Sequence, residues 1–169
     1  MRMIISAGGT GGHIYPALAI INEFKKNDKN FEVLYIGTHN RMENEIVPKN
    51  NIPYESVEIY GFSKNVGKDI KNIKCIYKAY KKCLNIMKKF KPDIVLGVGG
   101  YVTFPVLMAA KKLKIKTAIH EQNSIPGKTN KYLFKRVDKV FVSFKESMKY
   151  FKDQDKVIYS GNPCKDNVV

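Results

Sequence analysis

The sequence predicts an α/β domain: a doubly wound, mostly parallel sheet of about seven strands with helices on both faces. Three observations carry that prediction. Apolar β-branched runs alternate with helix-period patterns along the whole chain, as successive β-α-β units require. Ile94-Val95-Leu96 and Val140-Phe141-Val142 are continuously apolar, as strands covered on both faces should be. Glycines cluster where the first and fourth strands end, at Gly8, Gly9, Gly11 and Gly12 and again at Gly97, Gly99 and Gly100. In such a sheet those two strands are neighbours across the topological switch point, and ligands bind in the crevice beyond their carboxyl ends.

The apolar run Met3 to Ile5 places a first strand over residues 2–7. A turn through Ser6 to Pro16 then leads into the helix-forming Ala17-Leu18-Ala19-Ile20-Ile21, giving a helix over 15–27 with Pro16 in its first turn, where no N–H is needed. Strand 31–37, helix 42–50 and strand 53–59 follow. A long helix over 68–90 carries Ile70, Ile73, Tyr77, Tyr80, Leu84 and Met87 on one stripe, read most simply as its core face, with Ile76, Cys83, Ile86 and Phe90 beside it. Lys71, Lys74, Lys78, Lys81, Lys82 and Lys88 lie opposite. That apolar arc is wider than burial on one sheet needs. An apolar excess edged by lysines suits a membrane-surface helix, and Ile73, Ile76 and Tyr77 with Lys71, Lys74 and Lys78 are the candidate contacts. A solvated lysine face on a buried helix is the plain alternative. Strand 93–97, helix 103–113, strand 116–120, helix 127–136, strand 138–142, helix 145–151 and strand 156–159 complete the alternation, with no internal repeat.

Length and composition narrow the classes. With 169 residues, 44% hydrophobic and 27% charged, the chain can bury one good core. No run approaches the roughly 20 apolar residues of a membrane span, and the N-terminus enters strand periodicity directly, so neither a span nor a signal peptide is expected and the cytosolic side is the expected compartment. Cys75, Cys83 and Cys164 lack zinc-ligand spacing and read as reduced thiols; no metal is expected. The net charge of +15 calls for a polyanionic partner or reflects a biased composition. Only Arg2, Arg41 and Arg136 are arginines, which argues against nucleic acid, whose readers carry Arg together with stacking aromatics.

The first glycine loop leaves backbone N–H groups free of Cβ obstruction and sets the positive end of a helix behind them, which suits an anion, above all a phosphate. A dinucleotide fingerprint would need a third glycine at Ile14, and the strand ending in Thr38-His39 offers no ribose-binding carboxylate. Gly127-Lys128-Thr129 resembles the end of a P-loop, but the glycine expected five residues earlier is Gln122. His13, at the mouth of the first loop beside the helix dipole's positive end, is placed to act as a neutral base toward a hydroxyl, or else only to bond backbone. The strand-end pair His120 and Glu121 are further candidates, a structural role being the plain alternative. Asn123 can donate and accept at once, as sugar recognition needs, or make an Asx-turn.

GGTGGHIYPALAI, DIVLGVGGYVTFP, AIHEQNSIPGKTN and SGNPCK, in this order, resemble the MurG family of peptidoglycan N-acetylglucosaminyltransferases, and the similarity covers the entire chain. The resemblance implies a Rossmann-like N-terminal domain of a GT-B glycosyltransferase over residues 1–160, the start of an interdomain linker at 161–169, and a C-terminal donor-binding domain as a partner. It implies an inverting enzyme that uses no cofactor or catalytic metal. Such an enzyme transfers N-acetylglucosamine from UDP-N-acetylglucosamine to lipid I, the undecaprenyl-pyrophosphate-linked acceptor, at the cytoplasmic face of the bacterial membrane, where it is held peripherally on anionic phospholipid. On this resemblance the loop of Gly8, Gly9, Gly11 and Gly12 and the loop of Gly97 to Gly100, with Gly99 and Gly100, hold the acceptor's pyrophosphate, Tyr101 belongs to the substrate set, and His13 is the base, supported by His120 and Glu121. Donor contacts map onto Thr10, Gly11, Gly12 and Asn123, Gln122 joins the substrate set, and the arginine of the family pattern falls on Lys165, which keeps the charge but loses the bidentate fork. Another lipid acceptor, or a non-catalytic membrane-recruiting subunit, are the alternatives.

Overall fold

In the computed structural model the described residues are 1–61 and 66–163, the side chains of residues 66–71 excepted. The chain runs β1 (Arg2–Ala7), α1 (Gly11–Asn27), β2 (Glu32–Thr38), α2 (Glu43–Lys49), β3 (Tyr54–Val57), α3 (Val66–Phe90), β4 (Ile94–Gly99), α4 (Thr103–Lys112), β5 (Lys116–Glu121), α5 (Lys128–Leu133), β6 (Lys139–Val142), α6 (Lys145–Met148) and β7 (Val157–Tyr159). All adjacent strands pair in parallel, in the order β3-β2-β1-β4-β5-β6-β7. The order reverses between β1 and β4, which is the switch point expected from the two glycine clusters.

Strand alternation sends neighbouring residues to opposite faces, and each face has its own core. Ile4, Ile36, Val95, Ile119 and Val140 pack under α3, α4 and α5, with Ala79, Cys83, Met87, Val106 and Leu133 as partners. Ile5, Tyr35, Leu96 and Ala118 pack under α1 and α2, against Ile14, Ala17, Leu18, Ile21 and Val47. Both described cysteines are buried and free, and burial pushes the Cys83 thiol up to about 12.

Two local expectations are corrected. Helix α1 begins at Gly11, four residues before the expected start, so Gly11, Gly12 and His13 form its first turn and Pro16 lies inside it. Glycine's low helix propensity hid that turn. The core face of α3 is Cys75, Ala79, Cys83 and Met87, whereas Ile73 and Tyr77, read as part of the core stripe, are 57% and 60% exposed. A broad apolar arc does not reveal which of its edges meets the sheet. Ile70 and Lys71 lie outside the described side chains.

The carboxylate of Glu43, in the first turn of α2, is fully buried between two strand ends. Its Oε1 accepts from the Thr38 N–H (3.1 Å) and the Thr38 hydroxyl (2.7 Å), and its Oε2 accepts from the Gly9 N–H (3.1 Å). The nearby Tyr35 and Tyr54 hydroxyls donate to the carbonyls of Ala7 and Thr38. Burial first, and then the Glu43 charge, push both phenols well above their usual range. Glu43→Ala strands the Thr38 and Gly9 N–H groups without an acceptor, so urea denaturation should show a loss of about 2–4 kcal/mol of unfolding free energy. An unchanged midpoint would mean that the first glycine loop keeps its shape without this brace.

Candidate functional site

The site begins with a backbone bond between the two glycine loops: the Gly8 N–H donates to the Gly99 carbonyl at 3.1 Å. The β1–β4 ladder is regular from Met3↔Ile94 to Ser6↔Gly97, then shifts by one residue so that Ala7 faces Gly99. The shift turns the end of β4 toward β1. Gly99 and Gly100 then take φ of +118° and +89°, a region that side chains rarely adopt. Space also excludes a side chain at both positions. A Cβ on Gly99 would lie 2.7 Å from His13 Nε2, and one on Gly100 would collide with the Gly8 carbonyl.

Because Gly9's N–H is held by Glu43, the donors left at this helix start are those of Thr10, Gly11 and Gly12. The next two N–H groups, of His13 and Ile14, already donate to the Thr10 carbonyl. Three successive N–H groups with no acceptor among the described residues, at the start of a 17-residue helix, form a ready anion cradle.

His13 sits half-buried beside the cradle, its Nδ1 3.2 Å from the Gly8 carbonyl and 3.5 Å from the Thr10 hydroxyl. A carbonyl can only accept, so Nδ1 carries a proton, and Nε2, which bears the lone pair in the neutral ring, lies at the Gly99 edge of the crevice. The other described histidine of the site has the opposite tautomer. His120 Nε2 donates to the Gly161 carbonyl at 3.2 Å, and its Nδ1 accepts from the Gln122 amide at 2.9 Å. Burial holds its pKa below the usual histidine range, outweighing the Gly161 bond and the Glu121 charge, which push the other way.

Glu121 is 1% exposed and saturated. Oε1 takes the N–H and the side-chain amide of Asn123, both at 2.9 Å; Oε2 takes the Gly127 N–H at 3.0 Å and the Asn130 amide at 2.8 Å. The carboxylate thus folds the loop after β5 into the crevice's third wall. The crevice, about 270 Å³, is bounded by His13, the loop of Gly99, Gly100 and Tyr101, and the 121–130 segment.

The expected residues therefore divide. His13, Gly99, Gly100, Tyr101, Glu121 and Asn123 meet around one crevice, with Thr10, Gly11 and Gly12 presenting N–H groups at the helix start beside His13. His120 and Glu121, expected to support the base, have their polar atoms engaged by the protein. Gln122 is buried against His120, and Lys165 lies outside the described residues. Sequence reading missed Glu43, which has no motif of its own. It also missed Lys128 and Thr129, set aside with the failed P-loop match, and Asn130 beside them, although all three line the crevice. Asn130 is 4% exposed and its Oδ1 has no hydrogen-bond partner among the described residues. The unused acceptor of a buried amide at a crevice wall suits a ligand donor. Among the described residues no three His, Cys, Asp or Glu side chains gather as metal ligands.

Residues 3–142 match the glycosyltransferase family 28 N-terminal domain. Two curated relatives are named as UDP-N-acetylglucosamine–N-acetylmuramyl-(pentapeptide) pyrophosphoryl-undecaprenol N-acetylglucosamine transferases. One, from Finegoldia magna, is 48% identical over 98% of this chain and 45% of its own length; the other, from Bacillus pumilus, is 50% identical over 100% and 46%. The chain thus spans about half the length of the curated relatives it matches. The crystal structure of Acinetobacter baumannii MurG superimposes with a TM-score of 0.82 at 30% identity, over 97% of this chain and 46% of that one. A UDP-GlcNAc 2-epimerase from Methanocaldococcus jannaschii shares the fold, at a TM-score of 0.70 and 18% identity over 96% of this chain and 46% of that one. A parallel sheet switched at β1 and β4, two glycine loops pinned across it and a family match over most of its length lead to one assignment: the chain belongs to glycosyltransferase family 28, as its N-terminal domain.

Proposed function

We propose that this chain is the acceptor-binding half of an enzyme that transfers N-acetylglucosamine from UDP-N-acetylglucosamine to lipid I. The relatives' printed activity supports the reaction, and the Nε2 lone pair of His13, held between two glycine loops, is the observation that carries the assignment to this crevice. The acceptor's diphosphate lies on the glycine loops, and the donor approaches along Thr10, Gly11, Gly12 and Asn123. His13 Nε2 takes the proton of the attacking muramyl C4 hydroxyl. Its oxygen bonds to the sugar's anomeric carbon as the bond to UDP breaks, and UDP leaves with the electron pair. The Nδ1–H to Gly8 bond orients the ring and stabilises the imidazolium that forms. His120 and Glu121 act on the reaction by position, through the 121–130 wall.

In a two-domain protein carrying this chain, His13→Ala should lower kcat by about 10²–10⁴-fold and leave the donor KM within a few-fold, because a base acts in the transition state. Steady-state kinetics with both substrates varied measure this; an unchanged kcat would remove His13 from the base role.

The same reading places the chain peripherally on the cytoplasmic membrane face. Among the described residues no helix is long and apolar enough to cross a membrane. Ile73 and Tyr77 stand exposed on α3 beside exposed Lys74 and Lys78, and Lys81 caps the Tyr77 ring at 5.6 Å. Cosedimentation should show binding to anionic vesicles that falls with salt and drops at least about tenfold for Lys74→Glu combined with Lys78→Glu, at about 1 kcal/mol per lysine. Equal binding to neutral and anionic vesicles would leave these lysines as a solvated face.

A further inference from the structure

A second cavity, about 410 Å³ and apolar, opens beside the crevice and shares Tyr101, Lys128 and Thr129 with it. Its far walls are Ile59, Tyr60, Ile76, Phe104 and Tyr132. We propose that this groove holds the first isoprene units of the acceptor's lipid chain; the inference rests on the diphosphate reading of the glycine loops.

Substrate chemistry sets the requirement. In a pyrophosphoryl-undecaprenol the prenyl chain is esterified directly to the diphosphate, so its first carbons lie within a few bonds of the phosphate oxygens. An acceptor whose diphosphate rests on the glycine loops must therefore start its chain at the crevice's edge. At that edge Tyr101 and Lys128 form a seam, with an apolar wall on one side and His13, Gly99 and Gly100 on the other. Lys128 is exposed there, where anion and hydrocarbon would meet.

The groove is built before any ligand arrives. Phe104 and Tyr132 pack ring against ring at 5.4 Å, and the Arg136 guanidinium covers Tyr132 at 3.7 Å. Across from them, the amide of Asn72, 2% exposed, accepts from the Tyr60 N–H at 3.1 Å and donates to the Tyr60 carbonyl at 2.7 Å. That pair fixes the segment carrying Ile59 and Tyr60 to α3. Gly61 lies against the Tyr101 ring, where a Cβ would come within 2.8 Å. Rigid aromatic walls suit a branched, unsaturated chain and lose little entropy on binding it. The groove is distinct from the membrane face of α3: Ile76 turns into it, while Ile73 and Tyr77 point to solvent.

The test is titration calorimetry on this chain with inorganic pyrophosphate and with geranyl diphosphate, kept below the concentration at which the latter aggregates. Geranyl diphosphate should bind at least about tenfold tighter, from burial of its hydrocarbon. Tyr60→Ser combined with Tyr132→Ser, both at exposed side chains, should erase that gain and leave pyrophosphate binding within twofold. Equal affinity for the two ligands, or a gain that survives the double change, overturns the groove. Failure of pyrophosphate to bind while geranyl diphosphate binds in a Tyr60- and Tyr132-dependent way keeps the groove and overturns the diphosphate reading. Failure of both ligands overturns both.

Discussion

The structure depends on one backbone contact, the Gly8 N–H to Gly99 carbonyl bond across the β1–β4 switch. Strand ends normally diverge at a switch point, because the helices that follow them leave toward opposite faces. Here α1 goes to one face and α4 to the other, yet the loops leading into them touch. The one-residue shift in the ladder and the two positive φ angles at Gly99 and Gly100 make that approach possible. His13 and the N–H groups of Thr10, Gly11 and Gly12 at the start of α1 take their places from it.

Two of the crevice's three walls are held by buried carboxylates bonded to backbone N–H groups. Glu43 braces the first loop from behind, and Glu121 folds the third around itself. A buried carboxylate is tolerable when its lone pairs are filled, and three donors on Glu43 and four on Glu121 do that. This division of labour explains the two histidines. His120 has both nitrogens bound by protein and holds the β5 end to Gly161, whereas His13 has one nitrogen bound and one open.

Most of the fold could be read from the sequence because apolar periodicity reports burial directly. All seven strands and all six helices lie where their patterns placed them, with shifts at the ends. The late start assigned to α1 and the core stripe assigned to α3 failed for physical reasons. Glycines 11 and 12 disfavour the helix they begin, and a helix apolar around more than half its girth can meet a sheet along several lines. The glycine loops could be read because glycine clusters at strand ends have few other uses. Glu43 and Asn130 could not: an acidic residue in a first helical turn, or an asparagine inside a short helix, looks ordinary until the fold brings a second loop against it.

A loop with four glycines in five residues is among the costliest segments to hold in a single shape. Left free, it would wander, and an arriving anion would have to freeze it, losing affinity to that ordering. Glu43 behind Gly9 and the Gly99 carbonyl beside Gly8 do the freezing during folding instead. On the proposed reading the cradle would meet its ligand already at rest, with its shape held in advance, like a mould set before casting.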